Sequence, residues 1–76
     1  MIVVNKYSLL VKSLEANDLI WVNAEVIICD EPESNYLEIK ELEVLAVENN
    51  LKLTELELEE FKKKVLDNYV SYRQKI

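Results

Sequence analysis

No glycine occurs anywhere in the 76 residues, and this limits the fold more than any residue that is present. Glycine turns a chain through positive φ without a Cβ penalty. Without it the two-residue hairpin turns are disfavoured, and strands must be joined by three residues or more. The same absence removes the phosphate-cradling loops of the Walker and dinucleotide-binding types, which are built on glycine. The chain should nonetheless fold: half of it is apolar, and Leu, Ile and Val together number 27, too many for a disordered segment. At this length it is a single domain, 1–76, with a thin margin of stability.

Residue spacing sets out the elements. Ile20, Val22, Ala24, Val26 and Ile28 alternate with Trp21, Asn23, Glu25, Ile27 and Cys29, the two-residue period of a strand over about 19–29. Asp30 to Asn35 supplies turn-forming residues, and Pro32, which cannot donate to a ladder, limits the strand. A second strand is predicted over about 36–47. Its apolar positions change parity near Lys40, from Leu37 and Ile39 to Leu42, Val44 and Ala46, as a bulge would require. A helix capped by Ser34 also fits this stretch. The first segment, about 3–14, fits a strand face through Val3, Asn5, Tyr7, Leu9 and Val11. A helix stripe through Tyr7, Leu10, Val11 and Leu14 fits about as well. Its place ahead of Glu15 to Asp18 and the next strand favours a strand paired with 19–29.

The last element carries the clearest signal. Thr54-Glu55-Leu56-Glu57 is a capping box, with Leu53 and Leu58 in the staple positions. Leu58, Phe61, Val65, Tyr69 and Tyr72 then step by three or four residues along a helix of about 55–73. Acids load its first turns, while Lys62, Lys63, Lys64, Arg73 and Lys75 follow, which suits the helix dipole. Glu59 and Glu60 lie four residues before Lys63 and Lys64. Glu48-Asn49-Asn50 forms the preceding turn and 51–53 an extended lead. The predicted fold is α+β: a three-stranded antiparallel meander with a C-terminal helix packed on one face.

Two N-terminal strands, an acidic loop with a proline, the strand Tyr36-Leu37-Glu38-Ile39-Lys40-Glu41-Leu42-Glu43-Val44 and an acidic helix after Leu53-Thr54 form a recognisable order. This layout resembles small acidic uncharacterised accessory proteins of phages and mobile elements. The chain departs from them in carrying Asn49-Asn50 where a glycine is usual. The resemblance implies inhibition or modulation of a host enzyme or defence complex, in the manner of an anti-CRISPR protein, and brings no catalytic residues with it.

The residue types themselves argue against catalysis. There is no histidine, and Cys29 is the single cysteine, so a thiol nucleophile would lack its usual base and a cysteine cage for zinc cannot form. Following Val26, Ile27 and Ile28, Cys29 is expected to behave as a small buried hydrophobe. Asp30 with Glu31 and Glu59 with Glu60 read as solvated charge rather than a cation site. No catalytic residue, metal ligand or cofactor is assigned. No signal peptide or membrane span is expected, and a reducing, cytoplasmic setting fits, that of the host cell for a phage protein.

Charge is unevenly placed. Residues 30–60 carry eleven acids against two lysines, and 61–76 carry a net charge of +4, within a total of −6. Such a surface attracts basic partners and repels nucleic acid. The candidate partner-binding residues are therefore Trp21, Glu31, Glu33, Tyr36, Glu38, Glu41, Glu43, Glu55, Glu59 and Glu60. They would form an acidic face with aromatic anchors, in the extreme case imitating a phosphate backbone. The simpler account makes the acids a wet, solubilising face. Lys62 to Lys64 are expected to fan around the helix as solvated charge, and Tyr69 and Tyr72 to pack in the core. The alternative function is a structural one, a self-associating subunit that buries its apolar excess in a homodimer or larger assembly.

Overall fold

The computed structural model describes residues 1–74, with side-chain surroundings through residue 73. Three antiparallel strands, β1 (Ile2–Ser13), β2 (Asp18–Glu31) and β3 (Tyr36–Val47), form a sheet in the order β1-β2-β3, and the helix α1 (Glu55–Gln74) packs on it. The α+β meander predicted from spacing is the observed fold, and both stretches open to a helical alternative are strands. Lys75 lies outside the described residues.

Among the described residues the four at positive φ are all asparagines: Asn17, Asn35, Asn49 and Asn50, with φ between 53° and 59°. Asparagine tolerates the left-handed region better than other residues with a Cβ. In this chain it does what glycine would otherwise do. One asparagine serves the β1–β2 connection, one closes the Pro32–Ser34 turn, where the Asn35 amide donates to the Pro32 carbonyl at 3.2 Å, and two serve the turn before α1.

The pleat divides β2 into two faces. Its even-numbered residues Ile20, Val22, Ala24, Val26 and Ile28 are buried beneath α1, together with Val11 from β1 and Phe61, Val65 and Tyr69 from the helix. Val3, Tyr7, Leu9, Leu37, Ile39, Leu42 and Val47 complete this covered face. Tyr72 does not join it. It stands 68% exposed, which corrects its expected place in the core stripe. It stands instead beside β1, sharing a groove with Asn5, Lys6, Tyr7 and Asn68.

Two bulges bend β3. Ile28 pairs with Ile39 and Ile27 with Glu41, so Lys40 is the extra residue, at the predicted parity change. Leu45 is a second, unpredicted one, between Val44 opposite Ala24 and Ala46 opposite Asn23. β1 pairs with β2 over its whole length without a shift.

Met1 and Asp30 exchange backbone hydrogen bonds: the Asp30 amide donates to the Met1 carbonyl at 2.9 Å, and the Met1 amine donates back to the Asp30 carbonyl at 3.0 Å. In an antiparallel ladder the bonded pairs then recur at every second residue. Odd-numbered residues of β1 therefore bond to β2, and even-numbered ones turn their backbone groups toward the outer edge. The helix fills the C-terminal part of that edge. Lys64 Nζ donates to the Leu10 carbonyl at 2.7 Å, and the Leu14 amide donates to Glu57 Oε2 at 2.9 Å. Lys64 is thus an edge cap as well as a surface charge.

Glu57 also completes the capping box. Its Oε1 accepts from the Thr54 amide at 2.8 Å, and its own amide donates to Thr54 Oγ1 at 3.2 Å. The Thr54 and Leu14 amides together hold this carboxyl below its ordinary range, against the effect of burial. At the other end of the helix Asp30 extends the buried face of β2 by one more step. It is fully buried; Tyr69 donates to its Oδ2 at 2.6 Å and Arg73 to its Oδ1 at 2.7 Å. Asp30 therefore belongs to β2 and the core, which corrects its expected role as a solvated turn residue. These two carboxylates pin the ends of α1 to opposite ends of the sheet, Glu57 at Leu14 after β1 and Asp30 on β2.

Candidate binding surface

One helix on a three-stranded sheet leaves the other face uncovered. Residues opposite one another across an antiparallel pair share a face, so the register gives this open face directly. β1 contributes Ile2, Val4, Lys6, Ser8, Leu10 and Lys12, and β2 contributes Cys29, Ile27, Glu25, Asn23, Trp21 and Leu19. β3 adds Tyr36, Glu38, Glu41, Glu43 and Ala46.

The surface has two apolar ends and a polar waist. At one end Ile2 and Val4 are 52% and 55% exposed beside the half-buried Ile27 and Cys29, with Tyr36 adjoining. At the other, Leu19 and Trp21 are about half exposed next to Leu10. Lys6, Glu25 and Glu43 cross the waist in one row. Glu25 and Glu43 stand directly opposite, an arrangement of like charges that costs stability. Along β3, Glu38, Glu41 and Glu43 form an exposed acidic column. None of the ion pairs among the described residues involves these carboxylates. Cys29 is half-buried on this face, more accessible than the fully buried thiol expected from its apolar neighbours.

Local geometry fixes both aromatic anchors. β3 ends opposite Val22, and the Glu48 carboxylate takes over the ladder by accepting from the Trp21 amide at 3.1 Å. Tyr36 follows the Asn35 turn and pairs with Glu31. Its phenol is pushed up to about 12, first by the Glu38 carboxylate acting as acceptor and then by burial.

The acids expected to share one face are split by the fold. Glu31, opposite Tyr36, lies on the open face with Glu38, Glu41, Glu43 and Trp21, while Glu33 sits within the Pro32–Ser34 turn. Glu55, Glu59 and Glu60 belong to α1, on the opposite side of the sheet. There Lys62 approaches Glu59 at 3.5 Å and Lys64 approaches Glu60 at 3.6 Å. The first of these replaces the expected Glu59–Lys63 pair. The exposed Ile2, Val4 and Leu19 carried no functional signal in the sequence, although the register that places Trp21 outward places them outward too.

The polar cluster around Asp30 is the nearest approach to a chemical site. Tyr69 and Arg73 hold the Asp30 carboxylate below its ordinary value of 3.8, and Asp30 in turn raises the Tyr69 phenol to about 12. Both carboxylate oxygens are engaged, so the group serves as a clamp. Among the described residues no group of three or more His, Cys, Asp or Glu side chains is placed to share a metal ion. No helix among them is long and apolar enough to cross a membrane. Comparison with protein families, with characterised proteins and with solved structures gave no match to this chain.

Proposed function

We propose that this domain works by binding another protein through its open sheet face, and that it runs no reaction of its own. The observation that carries the reading is the exposure of Trp21 and Tyr36 at opposite ends of one uncovered sheet surface, with the Glu38–Glu41–Glu43 column beside them. Aromatic side chains combine large contact area with a polar handle and dominate binding energy at interfaces. The exposed carboxylates select a partner with a basic rim around an apolar centre. The resemblance to accessory proteins of phages and mobile elements gives this a setting: the partner is a host enzyme or defence complex, in the host cytoplasm, that the domain inhibits or modulates.

Charge density decides between a mixed contact and imitation of a nucleic acid. Alternate residues of a strand are about 6.6 Å apart, whereas one DNA strand carries a phosphate per roughly 3.4 Å of axis. The acidic column has about half that density and is flanked by apolar side chains. A mixed contact is favoured, with a moderate dependence on salt.

Affinity capture from host extract at two salt concentrations, using the parent domain, Trp21→Ala, a Glu38→Lys/Glu41→Lys/Glu43→Lys variant and a Glu55→Lys/Glu59→Lys variant, tests this. The expected result is a partner lost by the first two variants and retained by the third, with each variant folded by circular dichroism. Full binding by the open-face variants alongside loss on the helix would overturn the assignment.

A further inference from the structure

We infer that the N-terminal half of β1 is a pairing edge for a second copy of this chain, joining two three-stranded sheets into one six-stranded sheet about a two-fold axis near Val4. The inference starts from the backbone. Ile2, Val4, Lys6 and Ser8 turn their amides and carbonyls away from β2, and among the described residues the helix supplies partners at this edge only further along, at Leu10 and Leu14. The stretch has no proline and no bulge. A straight, unpaired edge that opens on Ile2-Val3-Val4 and carries one charge, Lys6, is close to the form that proteins normally avoid by charge, bulge or cover. β3, the other edge, has been treated in that way: two bulges interrupt it and glutamates line it.

A second copy fits this edge better than a foreign strand because each molecule has one straight edge, and pairing like with like closes the assembly. The resulting sheet ends on two bulged, acidic β3 strands and cannot grow further. Charge selects the register. Even-numbered residues must face even-numbered residues for their outward groups to bond. Centring on Lys6 sets two ammonium groups opposite and reaches the capped Leu10. Pairing Val4 with Lys6 of the second copy leaves the two lysines as diagonal neighbours about 7–8 Å apart. Pairing Val4 with Val4 separates them by four residues, about 13 Å, beyond the Debye length of roughly 8 Å at physiological salt. It also joins Ile2 and Val4 of both copies, beside Ile27 and Cys29, into one apolar strip.

Sedimentation equilibrium and amide hydrogen exchange on the parent, Val4→Lys, Val4→Pro and Trp21→Lys test this. The parent should show twice the 8.9 kDa chain mass, with concentration-dependent protection of the Val4 and Lys6 amides. Val4→Lys and Val4→Pro should weaken the dimer at least tenfold while the β1–β2 ladder stays protected, because Val4 gives no amide to β2. Trp21→Lys should leave the dimer intact, so this surface and the open-face binding site can fail independently. A parent that stays monomeric at several hundred micromolar, or a dimer broken by Trp21→Lys but not by Val4→Pro, would overturn the inference.

Discussion

Tyr69→Phe removes one oxygen from the core and isolates what the Asp30 clamp contributes. In the parent, the Tyr69 hydroxyl donates to a fully buried carboxylate at 2.6 Å, and Tyr69 itself is 7% exposed. Water cannot replace that donor without opening the helix from the sheet. A hydrogen bond to a charged group is worth about 1.5–3 kcal/mol, and a loss of about 2 kcal/mol lowers the thermal midpoint of a domain this size by roughly 8–16 °C. Arg73 stays on the other oxygen, so the variant should fold. Urea unfolding followed by circular dichroism at several pH values reads the effect. Asp30 has a lowered pKa when folded, so its contribution is present above the ordinary 3.8 and is lost as pH falls through the folded value. Tyr69 is raised to about 12, so the folded state keeps a proton that the unfolded chain releases from about 10, and stability falls as pH rises through that window. The gap between parent and variant should therefore be widest near neutrality and shrink toward both extremes. A variant within about 0.5 kcal/mol of the parent at pH 7, the range of an ordinary surface change, would refute the clamp. So would a deficit that persists undiminished in strong acid.

Three further outcomes follow from the same structure. Phe61 is fully buried at the centre of the helix stripe; Phe61→Ala should cost about 3–5 kcal/mol against a total of roughly 4–11 kcal/mol for a chain this long, leaving a protein partly unfolded in equilibrium denaturation. Glu57→Gln should weaken both the capping box and the tie to β1, seen as faster exchange of the Leu14 amide. It should also reduce the loss of parental stability as pH falls through the depressed Glu57 value. Asn35→Ala forces a Cβ residue without asparagine's tolerance to φ 54° and should cost about 1–2 kcal/mol, whereas Asn35→Gly should be close to neutral in the same urea titration.

Local chemistry was enough to determine much of this protein. The capping box at Thr54 and Glu57, the bulge at Lys40, the alternation from Ile20 to Ile28 and the three-element meander were legible because each rests on neighbours within a few residues. Periodicity also placed Trp21 on the opposite face from the core. The sequence alone did not show which charges share a surface. Glu43 and Glu59 look equivalent along the chain, yet the helix carries one away from the other. Asp30 read as a turn acid because it precedes Glu31 and Pro32. Only the docking of α1 brings Tyr69 and Arg73, 39 and 43 residues away, to satisfy it inside the core. The same docking covers half of the β1 edge and leaves the other half open. Strand alternation says which side a residue faces, but what lies against that side is set by long-range packing, and in a glycine-free chain that packing rests on four asparagines holding the turns.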